Sequence, residues 1–135
     1  MRQVNIILVF DKTQQKVLMC QRQKDPYKGL LNAIGGKKEP NETLMESCYR
    51  EMEEESGITP KDITLKPLLT FQYHQLDYEL FVAFGVLKNG VTLVEEKNPL
   101  VWVDINEDFE NRNRFAGDGN IQHMMDVLKY ESFDF

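Results

Sequence analysis

Four glutamates, Glu51, Glu53, Glu54 and Glu55, fall within five consecutive positions. Each repels the next, so water or a cation must relieve them. On a helix advancing about 100° per residue, Glu51, Glu54 and Glu55 share one arc of roughly 100°. That arc borders an apolar stripe of Leu44, Met45, Cys48, Tyr49 and Met52. Glu46 and Glu53 point toward solvent. The positions four residues after Glu51, Glu54 and Glu55 hold Glu55, Ile58 and Thr59, so no cation relieves them from that side. Two readings stand. The segment is an acidic helix face in water, or it gathers three carboxylates for a hard divalent cation such as Mg²⁺, which takes oxygen ligands and keeps waters and substrate phosphate in its shell.

A helix predicted over 43–56 must carry these acids. Thr43-Leu44-Met45-Glu46 fits a capping box, and Gly57 fits a C-terminal stop. Before it, strands are predicted at 4–10 and 17–23, joined by the polar turn 11–16. A loop with Pro26 and Gly29 leads to a short apolar piece ending in Gly35-Gly36. Further strands are expected at 63–73, 78–87, 90–94 and 100–105, with Lys88-Asn89-Gly90 as a hairpin turn. Ile121, Met124, Met125 and Leu128 set a last helix over 120–130, and the tail 131–135 is expected to be mobile. Strand clusters with two separated helices indicate an α/β (α+β) layered domain.

The 135 residues, 41% of them apolar, suit one domain over 1–135 with one sizeable core. No apolar run nears the roughly 20 residues that span a bilayer, and no basic-then-apolar leader opens the chain. A cytoplasmic location is therefore expected, without membrane contact. Cys20 and Cys48 sit in no CxxC and near no His, so they read as free buried thiols and not as a zinc site. A net charge of -6 argues against an electrostatic grip on long nucleic acid. It leaves phosphate ligands open, because bound divalent cations reverse the local sign.

The stretch from Gly36 to Ile58 resembles the Nudix box, G-x5-E-x7-R-E-U-x-E-E-x-G-U with U apolar. Gly36, Glu42, Arg50, Glu51, Met52, Glu54, Glu55, Gly57 and Ile58 fill its nine restricted positions. The resemblance implies the family's α/β/α sandwich with a mixed sheet. It also implies hydrolysis of a diphosphate linked to another moiety, with Mg²⁺ or, alternatively, Mn²⁺. It makes Glu51, Glu54 and Glu55 metal ligands beside the Gly35 or Gly36 carbonyl. Glu42 and Arg50 would hold the loop–helix–loop shape as an ion pair. A further acidic ligand from a later loop would be Glu96, with Glu95 as the alternative. Metal ions neutralise phosphate oxygens and make a bound water acidic, so the protein must add one base. A glutamate crowded by like charges has a raised pKa, and Glu54 is the expected base.

The segment Leu31 to Lys37 resembles the one before the box in the MutT-type branch, which acts on oxidised purine nucleotides such as 8-oxo-dGTP. There Asn32 would read a purine edge, since an amide both donates and accepts. Phe71 and Tyr73 resemble an aromatic pair lining that branch's base pocket, and bases stack on such rings at roughly 1–3 kcal/mol each. Phe115 and Asp118 fall where the branch places an aromatic and acidic residues. One Asp stands here and not a pair, and no Trp precedes it. Tyr27 and Asn5 are further pocket candidates, Asn5 only if it faces inward from its strand.

The leading expectation is a nucleoside triphosphate pyrophosphatase with a small-molecule nucleotide partner, working as a monomer or homodimer. The alternatives are a hydrolase of a nucleotide sugar, a dinucleotide or an RNA 5′ end, and a non-catalytic nucleotide-binding module.

Overall fold

A computed structural model describes residues 1–130. Its strands are β1 (Arg2–Phe10), β2 (Lys16–Gln21), β3 (Leu31–Lys37), β4 (Lys66–Tyr73), β5 (Tyr78–Val86) and β6 (Leu100–Asp104); its helices are α1 (Leu44–Ser56) and α2 (Asn120–Tyr130). They form a six-stranded sheet in the order β4-β5-β1-β3-β2-β6. The sheet is mixed: β1 and β5 run parallel, and the other pairs are antiparallel. The tail 131–135 lies outside the described residues.

The period-2 pattern of β1 assigns the two layers. Ile7 and Val9 face one side, where Cys48 and Met52 of α1 cover them. Leu8 and Phe10 face the other, against Ile121, Met124 and Met125 of α2. Helices on both faces of a mixed sheet make the expected α/β/α sandwich.

Local signals fix α1. The Thr43 hydroxyl accepts from the Glu46 N–H, and the Glu46 carboxylate accepts from the Thr43 N–H. Gly57 ends the helix in the left-handed region at φ 78°, where its N–H donates to the Glu53 carbonyl.

Three sequence expectations need correction. No strand forms at 90–94, because β5 already pairs β1 on one edge and β4 on the other. The segment instead folds back on the end of α1, where the Val94 N–H donates to the Ser56 carbonyl. The expected strand at 63–73 begins only at Lys66, and Ile63 and Leu65 are buried in the α1-side core. The piece ending in Gly35-Gly36 is a full strand, pairing Gly36 with Asn5 and Gly35 with Ile6 of β1. Glycine's weak strand preference hid it.

Candidate active site

Arg50 organises the acidic end of α1. Its Nε and Nη2 reach the two oxygens of Glu42 at 2.9 and 2.7 Å, and Nη2 also donates to the Lys37 carbonyl at 2.9 Å. Its Nη1 lies 3.1 Å from Glu51 and 3.2 Å from Glu54. These donors hold the loop before α1 against the helix, as the planar five-donor guanidinium permits. Hydrogen bonds from Arg50, then from the Glu39 N–H, hold the Glu42 carboxyl down at about 2. Glu54 therefore has its cation four residues before it, on the opposite side from Ile58.

The three acids of the arc differ in surroundings. Glu51 and Glu55 are buried, while the Glu54 side chain is 44% exposed. Gly36 stands directly against the Glu51 carboxylate, so a Cβ there would occupy the same space. Gly35 is pressed as closely on the Asn5 backbone. The Gly35 N–H donates to Glu55 at 2.9 Å, and the Gly36 N–H donates to the Asn5 side chain at 3.0 Å. Asn5 also donates to the Ser47 hydroxyl at 2.9 Å. Asn5 thus faces inward and lines the cleft, and its amide also ties β3 to α1.

Burial, partly offset by the Gly35 N–H and increased by the Glu51 charge, pushes Glu55 up to about 7. Its ordinary value is 4.5. Between these values the folded chain keeps a proton that the unfolded chain has released. Stability of the chelator-treated protein therefore falls as pH rises from about 4.5 to about 7, then levels. E55Q removes this titration. Melts in EDTA at pH 5 to 8 should show a flatter profile and about 2 kcal/mol more stability at pH 8. An identical pH slope in both proteins would contradict it.

A cleft of about 1170 Å³ runs past this region. Gly35, Gly36, Glu55 and Lys97 line it, as do Tyr27, Tyr73, Tyr78 and Asp118. Lys97 lies 3.6 Å from Glu51 and 3.4 Å from Glu54. Burial opposes its charge, but Glu51, Glu54 and Glu55 together raise its pKa. Sequence reasoning passed over Lys97 and chose its neighbour Glu96, which is exposed. Glu95 is occupied, accepting from the Leu100 N–H. A lysine following two acids was the available signal.

Of the expected base-pocket residues, Asn5, Asn32, Tyr27, Tyr73 and Asp118 line the cleft. The Asn32 Oδ1 accepts from the Ala33 N–H. The Tyr73 ring stacks on Tyr78 at 4.6 Å, and its hydroxyl accepts from Asn120. Tyr78 was missed because it opens a strand read only for its apolar content. The Tyr27 hydroxyl donates to Asp118 at 2.8 Å, which raises the phenol's pKa. Phe115 and Phe71 are corrections. Phe115 is buried against Phe109, because its bridge to Leu31 at the start of β3 sets it in the α2-side core. Phe71 packs on the same core beside His123. Cys20 and Cys48 are free and buried, and burial pushes their thiols up to about 11 and about 12.

The NUDIX domain family model matches residues 1–118, which contain the glycine strand, the acidic helix and the cleft. The chain belongs to the Nudix hydrolase family. The Nudix hydrolase YvcI of Bacillus subtilis (strain 168) is 35% identical over 121 residues, covering 84% of this chain and 73% of that protein. The 8-oxo-dGDP phosphatase NUDT18 of Mus musculus is 37% identical over 60 residues, 44% of this chain but 19% of that protein. A solved MutT structure, from work on Aliivibrio salmonicida and Vibrio cholerae, matches with a TM-score of 0.70 at 21% identity. It covers 96% of this chain and 98% of its own, which shows the shared fold.

Nudix hydrolases generally use divalent metal ions. Among the described residues, no three His, Cys, Asp or Glu side chains are gathered closely enough to hold an ion as they stand. Arg50 and Lys97 engage Glu51 and Glu54 instead. The donor set nonetheless fits a hard cation: it is all oxygen, and the lack of a side chain on Gly36 lets its backbone close on the Glu51 carboxylate. No helix among the described residues is long and apolar enough to cross a membrane.

Proposed function

We propose that this Nudix hydrolase uses Mg²⁺, or Mn²⁺ in its place, to cleave a nucleoside triphosphate into the monophosphate and pyrophosphate. The cleft carries this reading, because its lining joins Glu55, and Lys97 that pairs with Glu51 and Glu54, to Tyr27, Tyr73 and Tyr78. Arg2, Arg22, Lys24, Lys37 and Lys97 also line it, in a chain of net charge -6. A basic cleft on an acidic protein concentrates polyanionic ligands there.

Glu51, Glu54 and Glu55 would hold the metal with the Gly35 or Gly36 carbonyl. When bound, divalent cations neutralise phosphate charge and make a water more acidic. Glu54, the exposed member, would accept the proton from the attacking water. Arg50 orients Glu51 and Glu54 from behind. Elsewhere in the cleft Asn32 would offer its amide to a base edge, and Tyr73 a ring face. A nucleotide with an oxidised purine, such as 8-oxo-dGTP, is the favoured substrate, on the likeness of 60 residues to the mouse 8-oxo-dGDP phosphatase.

The test is a panel of standard, methylated and oxidised triphosphates, nucleotide sugars, dinucleotides and triphosphorylated RNA, with products identified under Mg²⁺ and under Mn²⁺. Monophosphate and pyrophosphate from a triphosphate support the reading. Product only from a sugar, dinucleotide or RNA substrate overturns it. Y73L should raise KM for the preferred nucleotide about tenfold with kcat little changed, as loss of one stacking face implies. An unchanged KM would place the base elsewhere.

A further inference from the structure

Lys97 belongs to both halves of the site. Its Nζ lies 3.6 Å from Glu51 and 3.4 Å from Glu54, where charge on those acids must be cancelled. It also lines the cleft. Its side chain is 48% exposed, and it stands on the irregular stretch between β5 and β6. A four-carbon stem from such a loop can swing its ammonium without moving α1. Arg50 is the other cation on these acids, but it is fixed by Glu42 and the Lys37 carbonyl. Of these two cations, Lys97 is the one free to leave.

We propose that Lys97 is an internal counter-ion that a divalent cation displaces from Glu51 and Glu54, and that its released ammonium then binds substrate phosphate in the cleft. This rests on the reading that those glutamates hold metal. The exchange couples the two ligands. Metal binding frees a cation that a polyphosphate needs, and an unloaded enzyme keeps that cation occupied. Lys97 is therefore a positioning residue for metal and a direct contact for phosphate.

Opposite effects on the two ligands identify the role. Calorimetric titration of the metal-free protein with Mn²⁺ should show K97M binding the ion about tenfold more tightly than wild type, since a competing charge is gone. KM for the triphosphate should rise about tenfold in the same variant, with kcat changed much less. K97R should stay near wild type in both. A side chain that merely braced the loop would weaken both ligands when removed. Equal or weaker Mn²⁺ binding by K97M, with wild type binding normally, overturns the counter-ion role. An unchanged KM overturns the phosphate contact. If wild type binds no Mn²⁺, the metal-site reading itself fails, and this proposal falls with it.

Discussion

E54Q should lower kcat about a thousandfold while leaving the protein folded. The glutamine keeps size and polarity but can neither accept a proton nor contribute a negative charge to a metal. Removing a positioned general base accounts for about 10²- to 10⁴-fold. Stability should scarcely change, because Glu54 is 44% exposed and its ion pairs to Arg50 and Lys97 sit at the surface. Steady-state rates with Mg²⁺, beside a thermal melt, check both halves. Near-normal turnover would move the base to another residue. An unfolded variant would give Glu54 a structural role its exposure does not suggest.

R50M should fail in the other way, losing fold and activity together. Methionine matches the length of the arginine stem but removes the donors to Glu42, Glu51 and the Lys37 carbonyl. Glu51 is buried, and losing a partner from a buried charge is strongly destabilising. A loss of about 3 kcal/mol, or roughly 10 °C in Tm, is expected at neutral pH. R50K should fall between, since one ammonium cannot span what a planar fork spans. The effect should shrink in acid. Arg50 holds Glu42 at about 2 against an ordinary 4.5, so the stabilisation is full above about 4.5 and is lost as pH falls toward about 2. A Tm gap between wild type and R50M that is constant from pH 7 to pH 3 would contradict this pairing.

The acidic helix was legible in the sequence because its signals are local. Thr43, Glu46 and Gly57 cap it, and its apolar stripe repeats at helical period. The arc of Glu51, Glu54 and Glu55 follows from that period alone. What a carboxylate meets across the chain did not follow. Glu55 became buried against β3, whose glycines hid the strand. A raised pKa was expected from crowding, whereas at Glu55 burial is its main cause. Lys97 arrives from 43 residues away. The absent strand at 90–94 has the same origin, because hairpin signals cannot report that both edges of β5 are taken. Phe71 and Tyr73 show the limit on one strand. Their alternation was readable and both pack on the α2-side core, but Tyr73 also lines the cleft and Phe71 does not.

The central claim is that Glu51, Glu54 and Glu55 grip divalent metal beside the cleft that takes a base. A crystal structure with Mn²⁺ and a non-hydrolysable triphosphate analogue, located by anomalous scattering, tests it most directly. Manganese should sit in direct contact with oxygens of those glutamates, with the analogue's phosphates beside it and its base against Tyr73. Glutamates still paired to Arg50 and Lys97, with ion and nucleotide bound elsewhere, would contradict it.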